Sequence, residues 1–147
     1  YLLTIGKDVH TLAENAVLNA NYMQEKLKDL YPIAFDTTCM HEFVIGLDPI
    51  YRKTHVSALD VAKALLDYGI HPPTIYFPLI VHEALMIEPT ETETKETLDE
   101  AITAFREIYD RIFSAPESVQ MAPQTTPVLR LDDTKAARDP HLRYTFE

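Results

Sequence analysis

Apolar residues recur at intervals of three and four positions in two long stretches of the chain. The first stretch runs over residues 9–30 and predicts a helix of about 22 residues, which Pro32 would end. The second runs over residues 98–113, with acidic residues and arginines on the opposite side, and predicts a helix that covers a sheet. Both predicted helices therefore have one side that needs a packing partner.

Three shorter stretches have the pattern of β-strands. Residues 40–47 alternate with a period of two, which places His41 on the apolar side of the predicted strand. Residues 75–77 and 84–87 are brief runs of strand-forming residues. The order helix, strand, helix, strand, strand, helix predicts an α+β fold, in which helices cover one face of a small antiparallel or mixed sheet.

Capping patterns indicate where one further helix and the second long helix begin. Ser57 and Asp60 have the spacing of a capping box, and Thr90 and Glu93 have a similar spacing before the last long helix. The glutamate at the second site would also interact favourably with the helix dipole. Residues 50–55 lie between the first strand and the Ser57 helix and are predicted to form a loop.

The periodicity fades after Ser114, where prolines interrupt the chain repeatedly. We expect an extended tail that lies across another surface, with a short helix around residues 132–138. The chain is thus divided into a linking helix over residues 1–32, an α+β domain over residues 33–115 and an extended C-terminal tail over residues 116–147.

Composition excludes several classes of partner. The 147 residues are 46% hydrophobic, which suits one folded core, and the net charge of -10 argues against binding to a nucleic-acid backbone. No apolar run approaches the roughly 20 residues of a membrane span. The single cysteine, Cys39, permits no internal disulfide and fits a cytoplasmic location. Because the chain begins with Tyr1 in an apolar stretch, we expect a piece of a longer protein.

A loop stiffened by prolines carries two candidate side chains. Gly69 is suited to end the preceding helix, and His71 stands directly before Pro72 and Pro73. The His71 imidazole and the Thr74 hydroxyl are therefore displayed on a rigid segment, which suits binding or proton transfer. The alternative interpretation is that both side chains satisfy backbone groups of the turn.

Several motifs resemble one known family, and the resemblance extends over nearly the whole chain. The run over residues 71–93, MHEF at residues 40–43 and DVAK at residues 60–63 are similar to the C-terminal part of the glycine cleavage system P-protein. FPLIVHE at residues 77–83 and the end of the chain near residues 142–144 resemble the second subunit of the two-subunit form.

The resemblance implies the small C-terminal domain of a fold-type-I pyridoxal-phosphate enzyme, a glycine dehydrogenase (decarboxylating). It also implies that the cofactor lysine and phosphate site lie in a larger preceding domain, since only three glycines are present here and no phosphate cradle is evident. The implied partners are the other P-protein subunit, lipoylated H-protein and glycine, in an oligomer.

In that family, this chain would supply one wall of the glycine site and of the channel for the lipoyl arm. Candidates for that wall are His71 and Thr74 as catalytic residues, His82, Glu83 and Arg52 as substrate or channel residues, and the pair His41 and Glu42. His41 is otherwise expected to be a hydrogen-bonded core residue, and no metal-binding spacing is present. The alternative function is an independent α+β module that binds a small acid or a partner protein.

Overall fold

The described part of the chain, residues 2–144 and 146 of a computed structural model, forms a three-stranded sheet and a set of helices. The helices are α1 (Leu2–Ile5), α2 (Val9–Leu27), α3 (Asp48–Thr54), α4 (Ala58–Leu66), α5 (Lys95–Ser114), α6 (Pro116–Gln120) and α7 (Asp133–Arg138), with a 3-10 turn at Gly6–Asp8. The strands are β1 (Phe43–Gly46), β2 (Thr74–Ile75) and β3 (Ala84–Ile87).

The sheet has the strand order β1-β3-β2, and both neighbouring pairs are antiparallel. Phe43 pairs with Ile87 and Ile45 pairs with Leu85, and all four side chains are buried in the core. Val44 alternates onto the opposite face. The helices pack on the core side of this sheet, which confirms the predicted α+β fold with its long N-terminal helix.

The core joins the sheet to the two long helices. Tyr31, just after α2, is buried and packs edge-on against the ring of Phe105 in α5. Its hydroxyl donates a hydrogen bond of 2.7 Å to the Phe105 carbonyl oxygen, and burial raises the pKa of the Tyr31 phenol. This contact fixes the end of α2 on α5. No helix within the described residues is long and apolar enough to span a lipid bilayer.

The predicted loop over residues 50–55 is wrong, because most of this segment belongs to α3. Pro49 occupies the first turn of α3, where its missing N–H costs no helical hydrogen bond. Asp48 places a negative charge near the same helix end. Asp48 and Pro49 therefore favour a helix that begins shortly after β1. The capping box of Ser57 and Asp60 is confirmed at the start of α4.

The predicted start of the last long helix at Thr90 is also wrong, because α5 begins after Thr94. The Thr94 hydroxyl accepts a hydrogen bond of 3.3 Å from the Thr97 backbone N–H. Thr90 has a φ of 64°, and its carbonyl oxygen accepts a hydrogen bond of 2.8 Å from Asn19 of α2. These features hold the chain in an irregular turn before the helix begins.

Two strands are shorter than their patterns predict. Residues 40–42 precede β1, and His41 is exposed, so the expectation of a core histidine is wrong. β2 ends at Ile75 because Tyr76 has a φ of 58° and turns the chain out of the sheet. β3 spans the predicted residues 84–87.

The tail is not extended throughout. Residues 116–120 form α6, and Val119 and Ala122 are buried in the core. Pro116 stands in the first turn of α6, where proline can begin a helix as well as follow one. The short exposed helix α7 confirms the prediction near residues 132–138. The three segment boundaries given above stay predictions.

Candidate functional site

One cavity of about 850 Å³ lies where the segment after α4, the sheet and the first turns of α5 meet. Met23, Leu98 and Phe105 contribute apolar lining, whereas His71 and Thr74 contribute polar groups. A mainly apolar recess with a few polar groups is the common form of a small-molecule site. The proline-stiffened loop predicted from the sequence is therefore a wall of this cavity.

His71 and Thr74 are the sequence candidates that the structure brings together in the cavity. Both residues are exposed, and within the described residues neither side chain has a hydrogen-bond partner. Thr74 pairs with Met86 across β2 and β3, so the sheet fixes its position. Pro72 and Pro73 complete the same wall. The polar groups are held by a rigid backbone and stay available for a ligand.

Glutamates line the same cavity. Glu88, Glu93 and Glu100 are exposed and contribute carboxylates to the lining. Glu93 accepts a hydrogen bond of 2.7 Å from the Thr97 hydroxyl. Within the described residues, the Glu88 and Glu100 carboxylates accept no hydrogen bond, and their negative charge suits a cationic group of a ligand. Glu88 is not among the candidates from the sequence.

His41 and Glu42 lie beside Glu88, which lines the cavity. The His41 Nε2 atom lies 4.0 Å from the Glu88 Oε1 atom. His41, Glu42 and Glu88 each offer one atom that can bind a metal, and these three atoms lie within 4.8 Å of one another. A divalent cation can use such a set of ligands. Phe43 pairs with Ile87, so Glu42 and Glu88 extend neighbouring strands at the same level. The cross-strand pairing of β1 and β3 is the signal that could have found Glu88.

His82, Glu83 and Arg52 do not line this cavity. The Glu83 carboxylate accepts a hydrogen bond of 2.6 Å from the Ala58 backbone N–H and so stabilises the start of α4. Arg52 forms an exposed ion pair of 2.8 Å with Asp48 within α3. His82 is exposed in the connection between β2 and β3. A role for these residues in a channel wall stays a prediction.

Several residues at the cavity and in the connection between β2 and β3 have left-handed backbone conformations. Tyr76, Glu83 and Thr90 have φ values of 58°, 50° and 64°, respectively, although none of them is glycine. Such conformations cost free energy and persist where the surrounding contacts enforce them. Gly69 has a φ of 72° and confirms the predicted left-handed end of the preceding helix. Of these residues, Gly69 and Thr90 line the cavity.

The residues of the cavity do not fit pyridoxal phosphate as a bound cofactor. The described residues include every lysine of the chain, and none of these lysines lines the cavity. Gly69 is the lining glycine, and no glycine-rich turn or basic cluster accompanies it to hold a phosphate group. This domain alone does not supply the covalent or phosphate-binding contacts that such a cofactor requires.

Fold and site together define a small α+β domain with a mainly apolar recess, whose lining includes a few polar groups and no lysine. Residues 12–130 match the family model described as the C-terminal domain of glycine dehydrogenase. The chain belongs to this family, and the resemblance seen in the sequence is confirmed.

Curated relatives match the chain over almost its whole length. A protein of Fervidobacterium nodosum is 55% identical over 98% of the chain, and one of Caldanaerobacter subterraneus is 56% identical over 99% of it. A protein of Treponema denticola is 54% identical over 98% of the chain. All three are named probable glycine dehydrogenase (decarboxylating) subunit 2. The match covers 30% of the length of each relative.

Proposed function

We propose that this chain is the C-terminal domain of a glycine dehydrogenase (decarboxylating) subunit 2 and supplies one wall of its glycine site. The observation that carries the proposal is the cavity of about 850 Å³ with two rigidly held polar side chains, His71 and Thr74, that have no hydrogen-bond partner within the described residues. Membership of the family supports the identity of the substrate. The relatives' names assign decarboxylation of glycine to the complete protein.

The lining of the cavity is chemically complementary to an amino acid. An imidazole N–H and a hydroxyl can both donate hydrogen bonds to a carboxylate, and His71 and Thr74 offer these groups on one wall. Glu88 and Glu100 offer carboxylates to an ammonium group. His71 can also hold or deliver a proton at an imidazole nitrogen during the reaction. These contacts would orient glycine, while the rigid loop excludes alternative positions.

The volume of the cavity exceeds that of glycine, since recesses of 300–1,000 Å³ commonly hold ligands of drug size. This room supports our proposal that the cavity also forms part of the channel for the lipoyl arm of H-protein. We further propose that the other subunit completes the site, that the assembly is an oligomer and that it works in the cytoplasm. Pyridoxal phosphate would be bound by the rest of the enzyme.

The complete, assembled enzyme provides the test. His71→Ala should lower glycine–bicarbonate exchange more than tenfold, which corresponds to about 1.4 kcal/mol or more of transition-state stabilisation. The melting temperature should change little, because His71 is exposed and has no hydrogen-bond partner in the described residues. His141→Ala, at an exposed histidine that does not line the cavity, is the matched control.

Equal exchange rates in the His71→Ala variant and the parent enzyme would contradict the proposed site. A loss of activity in His82→Ala, without a loss in His71→Ala, would instead move the site to the connection between β2 and β3. A lower melting temperature together with lower activity in His71→Ala would indicate a structural role for this histidine.

A further inference from the structure

The connection between β2 and β3, residues 76–83, is here called the apolar loop. It carries Phe77, Leu79 and Ile80, whose side chains are 50%, 84% and 81% exposed, respectively. Exposed apolar side chains are common when scattered singly, but here three large ones lie within four consecutive positions. The apolar loop therefore exposes three large apolar side chains that are close together in sequence, a grouping that suits a contact with another surface.

Backbone hydrogen bonds shape the tip of the apolar loop. The Val81 N–H donates a hydrogen bond of 3.0 Å to the Pro78 carbonyl oxygen, which closes a turn with Leu79 and Ile80 at its centre. The Tyr76 N–H donates a hydrogen bond of 2.9 Å to the Ala84 carbonyl oxygen. The two most exposed side chains of the loop thus stand at the apex of a closed turn.

The base of the apolar loop is tied to two other elements through Glu83. Its carbonyl oxygen accepts a hydrogen bond of 2.9 Å from the Leu47 N–H, and its carboxylate holds the start of α4. Val81 packs closely over Gly46 of β1. A Cβ atom added to Gly46 would lie 3.2 Å from the Val81 Cγ1 atom. A loop fastened in this way loses little conformational entropy when it binds a partner.

The residues at the apex are unusual for a turn. Glycine, proline, asparagine and aspartate favour the central positions of turns because of their backbone preferences, whereas leucine and isoleucine contribute nothing comparable. Their exposure to water also carries a hydrophobic cost and a risk of aggregation. The rigid display of Leu79 and Ile80 is explained if another surface covers them throughout the life of the folded protein.

We propose that the apolar loop docks against the part of the same subunit that precedes this domain. The matched relatives extend well beyond the match, which covers 30% of their length, and the matching family model describes a C-terminal domain. A covalently attached neighbour is always present, so it can protect an apolar apex permanently. The inference rests on the proposed function only in taking the preceding region from these relatives.

Thiol labelling tests the proposal without requiring enzyme activity. Leu79→Cys is introduced together with Cys39→Ser, which removes the single cysteine of the 147-residue chain, and labelling is quantified on the peptide that carries position 79. Reaction with a maleimide is timed for the 147-residue chain and for the complete subunit. We expect labelling to be at least tenfold slower in the complete subunit. Lys53→Cys in the same background is the control, since Lys53 is exposed on α3.

Hydrogen exchange of residues 76–83 in the unmutated proteins gives a second measurement that does not depend on the substitutions. Equal labelling of the introduced thiol in both proteins would overturn the proposal. It would also be overturned if protection required the other subunit or rose with the concentration of the 147-residue chain, because the occupant would then be that subunit or a second copy. Slow labelling with an inactive enzyme would support docking while contradicting the proposed function.

Discussion

The two halves of α2 carry one continuous apolar stripe but have different surroundings. In the second half, Ala20, Met23 and Leu27 are buried in the core. In the first half, Val9 is 45% exposed and Ala13 is also exposed. Leu18, at the middle of α2 and on the side opposite the stripe, is 66% exposed. A periodic stripe therefore predicts that a helix has an apolar side, but it does not identify what covers that side. The exposed apolar side of the first half is a second surface available for contact with the rest of the complete subunit.

The largest expected effect compares the same substitution at a buried and at an exposed position of α2. Leu27→Ala should lower the free energy of unfolding of the 147-residue chain by about 2–5 kcal/mol, because it leaves a cavity in a fully buried site. Leu18→Ala should change it by less than about 0.5 kcal/mol. Urea unfolding measures both values.

The same pair then sharpens the comparison in the complete subunit. If the side of α2 that carries Leu18 is covered there, Leu18→Ala should cost over about 1 kcal/mol more than in the isolated chain. Similar costs at both positions of the isolated chain would show that Leu18 and Leu27 do not differ in burial as the structure indicates.

Sequence reasoning succeeded where local chemistry or a complete stripe determines the structure. Most of the apolar stripe of α5 is buried, with Phe113 at its end 48% exposed. The capping box of α4 is formed by neighbours in sequence. The start of α5 could not be predicted, because several threonines compete as caps and a distant contact from Asn19 holds Thr90 in a turn. Local rules rank such alternatives poorly when tertiary contacts decide between them.

The candidate site shows the same division. His71 and Thr74 could be found because the two prolines between them predict a rigid loop. Glu88 could not, because its place at the cavity depends on how β3 pairs with β1. Glu83 is of a residue type that is common in binding sites, yet its carboxylate stabilises the start of α4. Residue type predicts the available chemistry, whereas the fold decides which partner receives it.

Asparagines of α2 provide a comparison of intermediate size. The Asn21 side chain donates a hydrogen bond of 2.8 Å to the Cys39 carbonyl oxygen and accepts one of 3.0 Å from the Cys39 N–H. Asn21→Ala should therefore lower the free energy of unfolding by about 1–2 kcal/mol. Asn15→Ala, on the exposed first half, should be neutral or stabilise the chain by up to about 0.5 kcal/mol, since alanine favours helix. Equal effects in urea unfolding would contradict the assigned role of Asn21.

The C-terminal tail repeats the contrast between a fastened and an exposed half. Near its start, the Asp67 side chain of the segment after α4 accepts hydrogen bonds of 2.8 Å from the backbone N–H groups of Gln124 and Thr125 and from the Thr125 hydroxyl. Farther along, Arg130 forms an ion pair of 2.7 Å with the buried Asp60. Beyond residue 130 the described residues are exposed. Anchoring thus ends near Arg130.

The smallest expected effect is a pH dependence of this anchoring. Burial opposes ionisation of Asp67, but the hydrogen bonds from Thr125 and Gln124 and the charge of Arg111 outweigh it and lower the pKa of the carboxyl group. A carboxyl group whose pKa is lowered by folding stabilises the folded state above its unfolded pKa of about 3.9, and this contribution is lost as the pH falls through the folded pKa.

Asp67→Asn should thus destabilise the chain by less than about 1 kcal/mol at pH 6, since solvent screens a partly exposed group. The difference should shrink below about pH 4. Unfolding curves from pH 2.5 to 7, with hydrogen exchange at Gln124 and Thr125, measure this, and a difference independent of pH would mean that the Asp67 charge does not hold the tail.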